Sequence, residues 1–439
     1  MCSGRYHAVQ RSLKTHANEN DRGSTIVRIT AYGVSFMPLS FLVRALAIGL
    51  LFHVYVGYRI VPTLSAWPVA QIAMIVWLVA SYILIPLGMM ARRAKRDDSS
   101  PIAWIGLLTM GLFSSLLVLC LLRDVILVIA LTVALLAHTE IPPVWRELSG
   151  IAVPLLAIAF TVVGFGNARR RAAIKHVDVP IDGLPDALDG FRIVQISDIH
   201  VGPTIRHKYV DAIVDAVNSL QADVVAVTGD VVDGGVEQLS AHTKPLGRLK
   251  GAHGVYLVTG NHEYYSGAHA WVDEFRRLGL NVLLNEHVVI HHGGVPVVIA
   301  GVTDWSGGHF DPAHESDPAA ALDGAPDDAK VRLLLAHQPR SADAAAGAGY
   351  TLQLSGHTHG GQFFPWNFFV RVQQPFTAGL NKVQSLWVYT SRGTGYWGPP
   401  KRLFAPSEIT LIRLVRGASR SHGVRGESHA GDAKVQPVA

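Results

Sequence analysis

Three long apolar runs, Phe41 to Val61, Pro68 to Met90 and Pro101 to Leu122, restrict this chain more than any other feature. Each is close to the roughly 20 residues that carry a helix across about 30 Å of hydrocarbon. Three in succession fit poorly as buried helices of a water-soluble core, so residues 41–166 read as a transmembrane region of four or five helices. Gly150 to Gly166 is a further candidate span. Val125 to Ala137 covers only about 20 Å as a helix. It is either a short span extended to Pro142 or the returning arm of a hairpin turning at Arg123 and Asp124. A lipid bilayer is therefore the first expected partner.

Basic residues flanking the spans set the expected orientation. Residues 1–40, with Arg5, Arg11, Lys14, Arg22 and Arg28, read as a cytoplasmic tail, and Arg92, Arg93, Lys95 and Arg96 place the loop after the second run on the same side. Arg169 to Arg171 belong there too only if the number of crossings is even; five spans would put them outside. No small-residue cleavage site follows the first run, so a removed signal peptide is not expected. The net charge of +5 is explained by these arginines. It suits an anionic lipid surface, and the soluble part has no basic stripe interleaved with aromatics that would point to nucleic acid. Cys2 and Cys120 imply neither a disulfide framework nor a thiolate metal site. A transporter or metal-binding sensor is the competing class, but the spans hold few ionisable residues beyond Arg44, His53 and the Arg123/Asp124 pair, and charges inside a membrane are what mark a pathway.

From about Ala172 the composition becomes that of a globular domain, extending to residue 416; residues 417–439 are polar and expected to be disordered. Within this domain short β-branched runs end in polar groups and alternate with helical spacing. Phe191 to Asp198 reads as a strand followed by His200. Asp223 to Asp230 reads as a strand buried on both faces, with Asp233 three residues on. Gly254 to Gly260 leads to Asn261, His262 and Glu263. Helices are expected at Tyr209 to Leu220, Leu239 to Leu249 and Trp271 to Leu278. Further strands are expected at Asn281 to Leu284, His287 to His291, Val295 to Val302, Val331 to Ala336 with His337 at its end, Leu386 to Thr390 and Glu408 to Leu414. Leu352 to Ser355 is one more, running into Gly356-His357-Thr358-His359-Gly360-Gly361-Gln362; i, i+2 spacing sends both imidazoles to one side. Asp311 to Asp328 reads as a surface loop. Phe363 to Phe369 is either a membrane-facing rim or lipid-binding flap, or a loop folded into the core.

In open α/β sheets ligands gather at the carboxyl ends of strands, so Asp198, His200, Asp230, Asn261, His262, His337, His357 and His359 should converge. Imidazole, carboxylate and one amide oxygen, without sulfur, suit Mn, Fe or Zn. There are donors enough for two divalent ions, and one carboxylate must then lie between them to offset their repulsion.

Asp198-Ile199-His200, Gly229-Asp230-Val231-Val232-Asp233, Gly260-Asn261-His262-Glu263, the lone His337 and Gly356-His357-Thr358-His359, in this order, resemble the five blocks of the calcineurin-like metallophosphoesterase superfamily across roughly Phe191 to Leu414. With Gly360-Gly361-Gln362 and Ser391-Arg392-Gly393-Thr394-Gly395 behind a membrane anchor, the chain is similar to bacterial predicted phosphohydrolases of the group that includes UDP-diacylglucosamine pyrophosphatases. The resemblance implies an α/β domain of two packed mixed sheets flanked by helices. It assigns Asp198, His200 and His359 to one metal, Asn261, His337 and His357 to the second, and Asp230 to a bridging position. It makes His262 the residue that stabilises developing charge or protonates the leaving oxygen, with Asp233 orienting it. The implied reaction is hydrolysis of a phosphodiester or pyrophosphate by a hydroxide bridging two divalent ions, without a covalent phosphoenzyme, at the bacterial inner membrane. A lipid-linked or envelope substrate is the leading expectation, and a tethered broad phosphomonoesterase or nucleotide hydrolase the alternative.

Overall fold

The computed structural model describes residues 39–93 and 101–417. Apart from residues 39, 40 and 417, both expected tails lie outside the described residues, as do residues 94–100 of the basic loop. The described chain opens with α1 (Leu39–Ile60), α2 (Pro68–Arg93), α3 (Pro101–Leu136) and α4 (Pro143–Arg169). All four are long and apolar enough to cross a membrane. Proline opens α2, α3 and α4, where a missing N–H costs nothing.

The ambiguous Val125 to Ala137 segment is neither a separate span nor a returning arm. It continues α3, whose length of about 54 Å exceeds one hydrocarbon thickness. Arg123 and Asp124 do not turn the chain because both are satisfied sideways. Asp124 accepts from Tyr55 Oη at 2.7 Å and Arg59 Nε at 2.9 Å on α1, while Arg123 donates to Ser149 Oγ and the Arg146 carbonyl of α4, both at 2.9 Å. A charge paired across helices need not leave the helix to find water.

The α/β domain begins three residues after α4. Its elements in order are β1 (Ala173–Ile181), β2 (Arg192–Ile196), α5 (His207–Ser219), β3 (Val224–Thr228), α6 (Val236–Thr243), β4 (Val255–Val258), α7 (Asn261–Ser266), α8 (Ala268–Arg277), β5 (Asn281–Val282), β6 (Glu286–His292), β7 (Val295–Gly301), β8 (Val331–Leu335), α9 (Ala342–Ala348), β9 (Leu352–Ser355), α10 (Trp366–Gln373), β10 (Gly379–Val383), β11 (Leu386–Thr390) and β12 (Glu408–Arg416). They form two mixed six-stranded sheets, ordered β1-β12-β2-β3-β4-β5 and β10-β11-β9-β8-β7-β6. This is the fold class that the sequence motifs imply.

Period-two alternation explains the layers. Val224 and Ala226 of β3 enter the core between the sheets, meeting Ile299, Leu333 and Leu354 of the second sheet. Val225 and Val227 face the other way and pack against Val210, Ile213 and Val214 of α5. The second sheet buries Ala300, Leu334 and Val388 beneath Ala342 and Ala345 of α9. Because β2, β3 and β4 run parallel, as do β7, β8 and β9, the chain leaves both sheets at one common edge. That edge receives every strand-end group named above.

Five elements escaped the sequence pattern: β1, α7, α9, α10 and β10. The edge strand β1 and the hairpin strand β10 are only partly buried and lack a fully apolar face. The aromatic stretch at 363–369 starts the helix α10 after Pro365, and Trp366, Phe368 and Phe369 are exposed rather than folded into the core.

Candidate metal centre

Two glycines let the polar loops close on each other. A Cβ on Gly356 would stand 2.2 Å from Asp198 Oδ2, and one on Gly260 would stand 2.2 Å from Asp230 Oδ1. Only a bare backbone fits there. In addition Asp198, His200, Asp230, His357 and His359 all hold φ between 51° and 69°. Non-glycine residues in this left-handed region are uncommon, and tertiary contacts must hold them there.

The eight strand-end groups come together with Asp233. Donor atoms of Asp198, His200 and His359 lie within 4.8 Å of one another, as do those of Asp230, His337 and His357. In the first group His200 Nε2 is 2.9 Å from His359 Nε2, and His359 Nε2 is 3.5 Å from Asp198 Oδ1. In the second, His357 Nδ1 is 3.0 Å from Asn261 Oδ1 and 3.2 Å from His337 Nε2. Asp230 Oδ2 reaches toward both, 3.2 Å from His337 Nε2 and 3.8 Å from His200 Nε2.

These contacts fit cations better than hydrogen bonds. His337 Nδ1 donates to the Thr228 carbonyl at 2.7 Å, so in neutral His337 the lone pair of Nε2 points at the Asp230 carboxylate 3.2 Å away. A positive charge between these two groups relieves that repulsion. Two ligands at ~2.1 Å and at right angles on one ion would be ~3.0 Å apart, matching the spacings found. Without a metal a proton takes the place: burial pulls His337 down, but the Asp230 carboxylate overrides it and holds the imidazole well above its ordinary range. Burial likewise pushes Asp230 up, and the charges of His337 and His262 hold it well below. Burial keeps His357 down at about 3. Burial, then the charge of Arg402, keeps His359 well below its usual range. Neutral imidazole is the form that ligates a metal.

His262 stands beside both groups. Its backbone N–H donates to Asp230 Oδ1 at 2.8 Å, its Nδ1 donates to Asp233 Oδ1 at 2.5 Å, and its Nε2 lies 3.9 Å from Asp230 Oδ2. Tyr265 and Trp397 flank the ring edge-on, with centroids at 5.2 and 5.9 Å. Asp233 Oδ1 also accepts from His200 Nδ1 at 3.1 Å, so one carboxylate oxygen orients two imidazoles.

Two residues that sequence reasoning left without a role hold this arrangement. Glu263, fully buried, accepts the backbone N–H groups of Asp230 (2.9 Å), Val231 (2.7 Å), Val232 (3.2 Å) and Gly260 (2.7 Å). Burial, then the nearby Asp230 charge, raises it to about 7. Its place beside Asn261-His262 was the available signal. Glu263→Ala strands four buried donors, each worth about 1–3 kcal/mol. The expected result is a loss of about 4 kcal/mol and of about 10 °C in apparent Tm, read by thermal unfolding in detergent together with reduced metal retention.

Arg402, also buried, donates through Nη1 to the carbonyls of His359 (2.9 Å) and Arg392 (2.7 Å), and places Nη2 3.0 Å from His359 Nδ1. Its own N–H donates to the Gly164 carbonyl of α4 at 2.8 Å. Beside it, Lys401 Nζ donates to the Gly111 carbonyl and Thr161 Oγ1, both at 3.1 Å, and to Ser115 Oγ. Adjacent residues thus grip the apolar helices and a histidine of the centre.

A family model described as calcineurin-like phosphoesterase matches residues 191–361. An uncharacterized metallophosphoesterase of Campylobacter jejuni is 32% identical over 271 residues, covering 61% of this chain and 70% of its own. The chain belongs to the calcineurin-like phosphoesterases. Two proteins described as "Transmembrane protein with metallophosphoesterase domain" are also similar: one from Bos taurus at 40% identity over 277 residues, 60% of this chain and 62% of that one, and one from Danio rerio at 36% over 268 residues, 59% and 61%. The chain therefore covers about three-fifths of the length of these two relatives. With its four apolar helices, this calcineurin-like phosphoesterase is an integral membrane protein.

Proposed function

We propose that the chain is a membrane-anchored hydrolase of phosphodiester or pyrophosphate bonds that works with two divalent ions. The observation that carries this is the pair of imidazole and carboxylate groups that meet at Asp230. Asp198, His200 and His359 would hold one ion, Asn261, His337 and His357 the other, and Asp230 both. Once bound, the ions would neutralise charge on the phosphoryl oxygens and make water a competent nucleophile near neutral pH. The chain's own residues do the rest. Asp230 supplies the negative charge between the two groups. Asp233, accepting from Nδ1, would orient His262 and favour its imidazolium, whose Nε2–H would stabilise the leaving oxygen and pass it a proton, leaving the ring neutral. Tyr265 and Trp397 flank the ring edge-on.

The substrate proposed is lipid-linked, taken at the cytoplasmic face of a bacterial inner membrane. Supporting this, four helices give an even number of crossings, so Arg169 to Arg171 share a side with Arg92 to Arg96. A topology reporter fused after Leu414 should read cytoplasmic.

The test of the reaction uses full-length, metal-replete protein in detergent. Hydrolysis of bis-p-nitrophenyl phosphate should exceed that of p-nitrophenyl phosphate, fall below detection on chelation and return with added Mn. Hydrolysis that persists without metal, or none with any metal, sinks the reading.

A further inference from the structure

An unpartnered apolar face lies on α10. Trp366, Phe368, Phe369 and Val372 are exposed, Val372 at 83%, and at 100° per residue they fill one arc of about 160°. Phe404, 77% exposed, extends the patch: the Phe364 ring stands between Phe368 at 6.0 Å and Phe404 at 6.5 Å. Arg371 is exposed at the margin of the arc. A patch of this kind on a water-facing domain marks an interaction site.

What covers it is indicated by its neighbours. Trp366 Nε1 donates to Ser114 Oγ of α3 at 3.3 Å, so α10 abuts a helix whose own outward side chains are apolar. The strand-like contacts of Phe363 with Leu403 and Phe404 join the patch to Lys401, which is fastened between α3 and α4. The apolar face is thus continuous with the surface of the membrane-crossing helices. Tryptophan and phenylalanine on one face, with arginine at the edge, is the composition of a helix lying in a lipid interface.

We infer that α10 and Phe404 sink into the lipid interface beside α3 and open the metal centre toward phospholipid. The same turn carries both features. A Cβ on Gly361 would stand 2.3 Å from the Asn367 backbone N, so α10 is seated on the turn that holds His359. Gln362 Nε2 donates to the Trp397 carbonyl and its Oε1 accepts the Trp397 N–H, both at 2.8 Å, and Trp397 flanks His262. An amphiphile with its chains in the bilayer would lie along α10 with its phosphate or pyrophosphate at the centre. This substrate class rests on the hydrolase reading; the insertion does not.

The experiment separates the two. Full-length Cys2→Ser, Phe369→Cys protein, labelled with bimane at 369, is placed in nanodiscs of phosphatidylcholine and phosphatidylglycerol. Nitroxide at carbon 5 of the lipid chains should quench the label at least about twofold, and aqueous iodide should leave it nearly unchanged. Quenching by iodide and not by lipid overturns the insertion, as does protection from both, which would mean that a second protein copy covers the face. In parallel, Phe368→Ser/Phe369→Ser should lower the ratio of kcat/KM for a nanodisc-embedded dialkyl phosphodiester to that for bis-p-nitrophenyl phosphate by about tenfold or more. An unchanged ratio overturns delivery from lipid. If neither substrate is hydrolysed by the parent protein, the hydrolase reading falls and the quenching result stands.

Discussion

Asp230→Ala should lower turnover of a phosphodiester by at least about 10³-fold, which is about 4 kcal/mol of transition-state stabilisation, and should reduce bound metal from two ions to one or none. Asp230 is the carboxylate that approaches both groups of donors, His200 on one side and His337 on the other. Two divalent cations close together repel strongly, and a neutral side chain between them offsets none of that repulsion. Asp230→Asn keeps the size and loses the charge, so it should fail nearly as badly. Folding should survive. The substitution orphans the His262 backbone N–H, which donates to Asp230 Oδ1, at a cost of about 1–3 kcal/mol, whereas the Glu263 bonds to the Asp230 and Val231 backbone remain. Elemental analysis beside kinetics checks this, with thermal unfolding as the control. Near-normal activity in protein that retains two ions would remove Asp230 from the centre.

The composition of the centre was legible in the sequence because strands end where their β-branched runs end. β11 coincides with the run Leu386 to Thr390, and β3 lies inside Asp223 to Asp230. A buried strand announces itself by composition, and its last residue says where polar groups emerge. What holds those groups in place was not legible. The left-handed backbone at Asp198, His200, Asp230, His357 and His359 is held by contacts between segments far apart in sequence; Asp and His enter that region more readily than most residues, but it is still not their usual conformation. Arg402 acts on His359 across 43 positions, so no local pattern could connect them. The same limit governs the helices. Arg123 and Asp124 look like a turn until Tyr55 and Arg59, more than 60 residues earlier, supply partners. Short-range pattern gave the strands and their cargo, while long-range pairing decided where the chain bends.

His262→Ala should keep both ions and still lose about 10²–10⁴ in kcat, the range for a positioned acid or base. The imidazole adjoins both donor groups, and its near contacts are Asp233 at Nδ1 and the rings of His200, Tyr265 and Trp397. This variant therefore tests proton transfer, rather than ligation, as the role proposed for the imidazole. Removing it leaves Asp198, His200, His359, Asn261, His337 and His357 unchanged in kind. Asp233→Asn is the informative comparison, because Asp233 Oδ1 serves His200 Nδ1 as well as His262 Nδ1. An asparagine there can keep its Oδ1 between the two rings but brings no charge to either. It should therefore lower kcat and also weaken metal binding by about 10- to 100-fold, the usual loss when a ligand histidine loses its orienting partner. If His262→Ala releases metal as readily as Asp233→Asn, His262 is a ligand or a structural support; if its leaving-group dependence steepens while metal content holds, as expected for a lost acid, poorer leaving groups should suffer most, and bis-p-nitrophenyl phosphate least.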